Sequence, residues 1–309
     1  MDAATGTGPP VSALFGPGLE AESLGSCLHY NVIPEDLASS IFTALNQEIS
    51  WQAMHHQQGV VPRRVCCQAS VDPVDGSSPI YRHPSDRTMP TEPWTPFVDQ
   101  IRTVASGLVG HELNHALIQL YRSGNDYISE HSDKTLDIVP DSYIVNVSFG
   151  AQRTMRLRTK RAPRNTGEER PGGRDAASRL QPEPRTTYRI ALPHNSMVAM
   201  TLETNARYLH GINADKRPGV ELAEEETAFD GQRISLTFRR IGTFLDADGK
   251  RIWGQGATGK RKGDAQGVIC GDEIESQRLI DAFGRENVTS ERDWGRCYGK
   301  GSDVLHLKG

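Results

Sequence analysis

The feature that most limits the fold of this chain is a change of hydrophobic period. From residue 115 onward the segments HALIQLYR, SYIVNVSFG, RTMRLRTK, TTYRIALP, NSMVAMTL and GQRISLTFRR run for 7 to 10 residues each. They alternate in polarity, are rich in β-branched and aromatic residues, and are separated by Gly, Pro, Asn or Asp. Six such units predict a sandwich or jelly roll. Two helices precede them. In PEDLASSIFTALNQEIS the residues Leu37, Ile41, Leu45 and Ile49 recur every fourth position behind a Pro34-Glu35-Asp36 start. The second begins at Thr95-Pro96, an N-cap and N1 pair, carries Phe97, Ile101, Val104 and Leu108 on one face, and closes at Gly107 and Gly110. The expected class is α+β: a jelly-roll, or double-stranded β-helix, core with helices backing one sheet.

The rest of the chain is less periodic. Residues 1–31, rich in Gly, Pro, Ser and Ala, read as a mobile N-terminal segment, with order beginning at Val32 and the main domain spanning 32–241. About residues 160–185 no period holds, which predicts a long exposed insertion between two strands. From Arg153 to Arg189 there are eleven Lys and Arg against four acidic residues, so this stretch is either a solvated loop or a phosphate-contacting arm. Residues 242–309 read as a C-terminal appendage packed on the main domain, with a short helix over DEIESQRLIDAFG that ends at Gly284.

Charge and cysteine content set the function classes. Thirty-five Lys and Arg against 39 Asp and Glu give a net charge of -4, so any attraction to nucleic acid must be local. No apolar run is long enough for a bilayer and the start lacks a signal-peptide pattern, which predicts no membrane association. Five cysteines without paired C-x-x-C spacing indicate neither a disulfide framework nor a zinc ribbon, and make the nucleus or cytoplasm the expected location. A monomer is expected.

One constellation carries chemistry. NDYISEHSD ends in His131-Ser132-Asp133, whose two-residue offset puts imidazole and carboxylate on one side of an extended backbone. His210 follows 77 positions after Asp133. Two histidines and a carboxylate on a β scaffold form the facial triad suited to non-haem Fe(II), and no cysteine lies close enough in sequence to favour zinc. In RISLTFR, Arg233 and Arg239 share one face with Ser235 and Thr237, while Ile234, Leu236 and Phe238 take the other. The arginine face is either solvated or lines an anion site, where a guanidinium grips a carboxylate through two bonds.

Taken together, VPR at Val61 to Arg63, PWTP at Pro93 to Pro96, ALIQLYRSGNDYISEHSD, SYIVNVSFGAQR, LPHNSMVAM, YLHGI and RISLTFR resemble, in content and order, the AlkB-like Fe(II)/2-oxoglutarate dioxygenases. The resemblance covers about residues 60–241 and is strongest to the eukaryotic DNA-repair branch. It implies that His131, Asp133 and His210 bind Fe(II), that Arg233 pairs with the distal carboxylate of 2-oxoglutarate, and that Arg239 lies near the proximal carboxylate and Asp133. Tyr121 would help hold the cosubstrate, with Gln119 and Ser235 standing where the family has asparagines. Dioxygen would be the oxidant, and the outcome hydroxylation of a C–H bond, or N-dealkylation where that carbon is bonded to nitrogen.

The substrate is less determined. Repair members carry an acidic residue just after the metal aspartate to read a flipped base; here Lys134 and Thr135 stand there, with Asp137 as a more distant substitute. Where the relatives carry an aromatic wedge this chain has Met54, His55 and His56. Tyr81 and His83 fall in the lid region, where an aromatic pair can sandwich a heterocycle. Tyr81, His83, Thr135 and Met54 are thus the candidate substrate residues. Two functions stand: N-demethylation of alkylated nucleobases in DNA or RNA, and oxidation of a small molecule or a protein side chain.

Overall fold

The computed structural model describes residues 10–56, 59–161, 185–290 and 292–308. Nine strands form the larger sheet: β1 (Val11–Ala13), β2 (Cys27–Tyr30), β3 (Gln52–His56), β4 (Gly59–Ala69), β6 (Thr91–Glu92), β7 (His115–Tyr121), β9 (Tyr143–Gly150), β12 (Ser196–Thr201) and β14 (Arg233–Arg239). Their order is β1-β2-β12-β9-β14-β7-β4-β3, with β6 beside β4. The smaller sheet runs β11 (Thr187–Leu192), β10 (Arg153–Thr159), β13 (Tyr208–Ile212), β8 (Ile128–His131). A third sheet joins β5 (Ser78–Pro79) to β15 (Thr243–Leu245), β16 (Arg251–Gly254) and β17 (Gln266–Gly267), and β18 (Ile269–Cys270) pairs in parallel with β19 (Val304–His306). The helices are α1 (Glu20–Ser23), α2 (Glu35–Glu48), α3 (Pro96–Val109), α4 (Leu202–Arg207), α5 (Glu224–Thr227), α6 (Glu273–Val288) and α7 (Trp294–Tyr298). None is long and apolar enough to cross a membrane.

Strand alternation divides the apolar residues between two layers. Ile234, Leu236 and Phe238 of β14 join Val145, Val147 and Phe149 of β9 on the outer face of the larger sheet. There they meet Ala38, Ile41 and Leu45 of α2 and Val98, Ile101 and Ala105 of α3, so both helices back that sheet as their periodicity predicts. Between the two sheets, Tyr121, Ile144, Val198 and Met200 face Met155, Leu157, Ile190 and Tyr208. At the start of α3 the Thr95 side chain does not cap its own helix. The Glu48 carboxylate at the end of α2 does so instead, accepting from the Thr95 hydroxyl at 2.7 Å and from the amides of Phe97 and Val98 at 3.2 and 3.1 Å. An acidic group at a helix N-terminus satisfies orphan amides and meets the positive end of the helix dipole. Gly110, with φ of 73°, ends α3 in the left-handed conformation, whereas Gly107 lies inside the helix.

Two expectations are corrected, and a third lies outside what the structure describes. Residues 11–30 are not a mobile segment: β2 pairs with β12 from Ser196↔Tyr30 to Ala199↔Cys27 and extends the larger sheet, with Leu28 buried. Short strands interrupted by Gly and Pro have no period long enough to detect, and order comes from the sheet edge they join. The last helix runs past Gly284 to Val288, because its final turn is held from outside: Lys160 Nζ donates to the carbonyls of Glu286 at 2.5 Å and Thr289 at 3.2 Å. A cation on the last carbonyls of a helix is a favourable terminus. The basic insertion expected at about 160–185 lies almost wholly outside the described residues.

Residues 242–308 do more than pack on the surface. Arg82, buried in the loop between β5 and β6, donates from Nη1 to the carbonyls of Ser302 (2.6 Å) and Val304 (3.1 Å). Its Nη2 donates to Asp137 Oδ1 at 2.6 Å and its Nε to Oδ2 at 3.1 Å. Both partners are almost fully enclosed, so Asp137 serves this ion pair and does not read a substrate. Removing one partner of such a pair leaves the other charge buried alone. Arg82→Ala is therefore expected to lower the unfolding free energy by about 3–5 kcal/mol, measured by urea denaturation; a loss below about 1 kcal/mol would show that the pair holds nothing together.

Candidate active site

The smaller sheet brings the two histidines together. β13 and β8 are antiparallel and His210 stands directly opposite His131, with ring centroids 4.5 Å apart. Gly211 allows that approach, since a Cβ there would lie 2.8 Å from the Ile128 carbonyl oxygen and 3.0 Å from the Glu130 amide. Asp133 lies beyond the end of β8, in the loop that follows, so its placement does not come from strand alternation. Asn205 of α4 holds it: Asn205 Oδ1 accepts from the Asp133 amide at 2.8 Å, and its Nδ2 donates to the Asp133 carbonyl at 3.0 Å.

The result is a three-ligand cluster. Asp133 Oδ1 is 3.7 Å from His131 Nε2 and 3.8 Å from His210 Nε2, and the ligand atoms of all three residues lie within 4.8 Å of one another. His131 Nδ1 faces the Ser129 carbonyl at 2.8 Å; a carbonyl only accepts, so Nδ1 carries the proton and Nε2 presents its lone pair to the cluster. Arg239 donates to Asp133 Oδ2 from Nε (2.9 Å) and Nη2 (2.7 Å), leaving Oδ1 for a metal. Burial alone would raise the Asp133 pKa, yet Arg239 and the two imidazoles hold the carboxyl below its usual range. Burial, helped by His210, pushes His131 down to about 3, and burial also lowers His210. One anionic and two neutral ligands with no thiolate suit a divalent metal of the non-haem iron type.

Beside the cluster lies a buried cation. Arg233 at the start of β14 has no exposure; its Nη2 donates to Ser148 Oγ at 2.7 Å and Asn146 Oδ1 at 3.1 Å, whereas Nε and Nη1 have no hydrogen-bond partner among the described residues. Burial pushes its pKa down to about 10. A desolvated guanidinium with unused donors fits a carboxylate ligand. Tyr121 packs under it, 5.2 Å from ring centre to guanidinium carbon, and the Tyr121 hydroxyl donates to Gln119 Oε1 at 3.2 Å. Ser235 Oγ accepts from Asn146 Nδ2 at 2.7 Å. Gln119, Tyr121, Asn146 and Ser235 line a cavity of about 530 Å³ that also exposes His131, Asp133, His210 and Arg239. The residues named from sequence as metal and cosubstrate groups thus converge on one cavity or stand against its wall. Asn146, Ser148 and Asn205 were not singled out; alternation on β9 would have put Asn146 and Ser148 on the same face, while Asn205 left no local signal.

The candidate substrate residues divide. Tyr81 and His83 line the cavity, stacked at 5.7 Å with planes 15° apart, but the other flank of Tyr81 is taken by Arg239, whose guanidinium carbon lies 4.0 Å from the ring centre. Tyr81 is therefore a packed wall and does not sandwich a heterocycle. Thr135 turns away: its amide donates to the Glu286 carboxylate at 3.1 Å and its hydroxyl bonds the same group. Met54 is buried with Val61, Val65, Cys67 and Leu117 in the core under the β3–β4 hairpin, so a wedge role is corrected to packing. The side chains of His55 and His56 lie outside the described residues. Ile280, Asn287 and Leu307, all from the C-terminal region, complete the cavity wall, which no local pattern around them indicates.

The Asn205 clamp yields an expected outcome. Supports behind a ligand raise affinity by fixing its position, so Asn205→Ala is expected to weaken Co(II) binding roughly 10- to 100-fold in a spectroscopic titration, with circular dichroism unchanged; unaltered affinity would mean that Asp133 is held by Arg239 alone.

Comparison with known proteins places this geometry in a family. The profile of the 2OG-Fe(II) oxygenase superfamily matches residues 25–239. The human DNA oxidative demethylase ALKBH2 is 33% identical over 157 residues, 51% of this chain and 51% of that protein, so the chain spans about half the length of that relative. The mouse protein of the same name is 29% identical over 234 residues, covering 72% of this chain and 82% of the relative. The human alpha-ketoglutarate-dependent dioxygenase alkB homolog 3 is 24% identical over 219 residues, 70% of this chain and 65% of its own. Matched over more than two thirds of its length, and carrying a His-Asp-His cluster beside a cavity-lining arginine, the chain belongs to the 2OG-Fe(II) oxygenase superfamily as an AlkB-like dioxygenase, a family that uses Fe(II), 2-oxoglutarate and dioxygen.

Proposed function

We propose that this chain is an oxidative N-demethylase of alkylated nucleobases in DNA or RNA, with His131, Asp133 and His210 as the iron ligands and Arg233 as the anchor of the 2-oxoglutarate distal carboxylate. The observation that carries the cosubstrate assignment is the enclosed Arg233 guanidinium, two of whose nitrogens have no hydrogen-bond partner among the described residues. The relatives named as DNA oxidative demethylases support the substrate class. A cavity of about 530 Å³ is within the range that takes a flipped base together with a small diacid.

Bound iron would supply activation of dioxygen coupled to oxidative decarboxylation of the 2-oxo acid. The chain's own residues set the conditions. Arg239 occupies Asp133 Oδ2 and fixes which oxygen faces the histidines, and Ser129 fixes the His131 tautomer. Arg233 and Tyr121 orient the diacid from one end. Ile144, Met155, Val198 and Met200 give the cavity an apolar wall that keeps water from the reacting carbon. The overall reaction balances: one oxygen atom enters succinate, with loss of CO2, and the other enters the N-methyl carbon; the resulting N–CH2–OH group expels formaldehyde as its hydroxyl proton moves to nitrogen.

Two measurements test this function. Formaldehyde is expected from oligonucleotides carrying N-methylated bases when Fe(II) and 2-oxoglutarate are supplied, and its release is expected to vanish in His131→Ala. Turnover of 2-oxoglutarate that ignores every methylated oligonucleotide would instead favour oxidation of a small molecule or a protein side chain, in keeping with the acidic net charge of the chain. Arg233→Gln is expected to raise the KM for 2-oxoglutarate by about 30-fold or more, the equivalent of about 2 kcal/mol for a lost charge-assisted pair; an unchanged KM would remove Arg233 from the cosubstrate site.

A further inference from the structure

The superfamily match ends at residue 239, whereas α6 spans Glu273–Val288, so this helix lies outside the part of the chain that the family defines. Its last turn places a buried carboxylate behind the metal-ligand loop. The oxygens of Glu286 accept from the Thr135 amide at 3.1 and 3.2 Å, from the Thr135 hydroxyl and from the Tyr298 hydroxyl at 2.5 Å. Helix stability does not account for an acid at this place. An anion in the last turn of a helix meets the negative end of the macrodipole, and burial removes the water that would compensate it.

Two buried ammonium groups do account for it. Lys160 donates from Nζ to the Glu286 backbone carbonyl, and Lys134 donates from Nζ to Oδ1 of the next residue, Asn287, at 2.7 Å. Burial lowers the pKa of both lysines, and for each the Glu286 carboxylate is the largest influence in the opposite direction. Other charged groups beside the loop have partners of their own. Asp133 also counters Lys134, but its Oδ2 is taken by the Arg239 fork. Asp86, whose Oδ1 has no hydrogen-bond partner among the described residues, has Lys308 Nζ 3.1 Å from its Oδ2. Asp293 is exposed and accepts from the Arg296 amide at 2.8 Å, and Arg292 stands 3.6 Å from Asp141 and 3.5 Å from Glu203.

The charge of the two lysines reaches the ligand cluster. Burial is the first cause of the lowered His210 pKa; Arg239, Lys160 and Lys134 lower it further, and Asp133 works the other way. A charge that opposes a proton on an imidazole opposes a divalent ion on the same nitrogen more strongly, since Coulomb energy scales with charge and little water intervenes here.

We propose that Glu286 is a positioning residue for the metal centre: its carboxylate neutralises Lys134 and Lys160 behind the ligand loop, and without it their charges repel a divalent cation from the His131–Asp133–His210 cluster. This role rests on the reading of those three residues as the iron ligands.

The test titrates the whole chain with Co(II), followed by visible absorption, and reads the Fe(III)/Fe(II) potential of the iron-loaded protein by spectroelectrochemistry. Glu286→Gln keeps the size of the side chain and removes its charge. It is expected to weaken Co(II) binding about tenfold or more and to shift the iron potential positive, because uncompensated positive charge disfavours Fe(III) more than Fe(II). Adding Lys160→Met, or separately Lys134→Met, to Glu286→Gln is expected to recover most of both changes. A role through hydrogen bonds alone predicts the reverse, since loss of Lys160 unties the end of α6 and weakens binding further. The two double variants are independent, so a fold defect in one, seen by circular dichroism, leaves the other to decide. Unchanged affinity and potential in Glu286→Gln, or no recovery in a folded double variant, overturns the role of Glu286 while the metal site stands. If the wild-type chain shows no Co(II) band that depends on His131, the iron-ligand reading falls and this role falls with it.

Discussion

The pair between Arg239 and Asp133 is the interaction on which the rest of the site depends. Both groups are almost fully enclosed, at 3% and 4% side-chain exposure, so each would be costly to bury alone. Together they fix more than their own charges. The fork spends Oδ2 and directs Oδ1 to the imidazoles; the same guanidinium forms the floor under Tyr81, and the Tyr81 hydroxyl receives the amide of Lys134. One arginine at the end of β14 therefore sets the metal-facing oxygen, the position of the aromatic wall and the path of the loop after the ligand.

The C-terminal region supports that loop from the opposite side. Glu286 accepts from Thr135, and from the Tyr298 hydroxyl at 2.5 Å, while Asn287 accepts from Ser132 and Lys134. Lys160, leaving β10, ties the end of the same helix through two carbonyls, and burial pushes its pKa down to about 8. The ligand loop is thus clamped by Asn205 on one flank and by α6 on the other. Rigid support of this kind holds ligand atoms in place before a metal arrives and lowers the entropy lost on binding.

How much of this was legible in the sequence follows from the range of each contact. Alternation on β14 announced that Ile234, Leu236 and Phe238 face the core and that Arg233 and Arg239 face together, because period two is a local property of one strand. The helices were legible for the same reason. His131 and His210 could be named as a candidate pair, but their cross-strand pairing depends on the register of β8 against β13, which no single segment encodes. Glu48 as the cap of α3, Asn205 as the clamp of Asp133 and Asn287 as a cavity residue all act across dozens of positions. Such contacts leave no period and no composition bias. The strands β1 and β2 were missed on similar grounds, since three or four residues between glycines and prolines carry too little pattern to outweigh the flexible reading.

The pairing of β10 with β11 has a consequence for how such a chain can diversify. From Arg153↔Leu192 to Arg158↔Thr187 the two strands are locked rung by rung, and β10 on its other edge is locked to β13, which carries His210. Thr159 and Thr187 stand at one end of this ladder. A change in the number of residues between them therefore shifts no rung, so the chain can lengthen or shorten there while the reactive centre keeps its alignment.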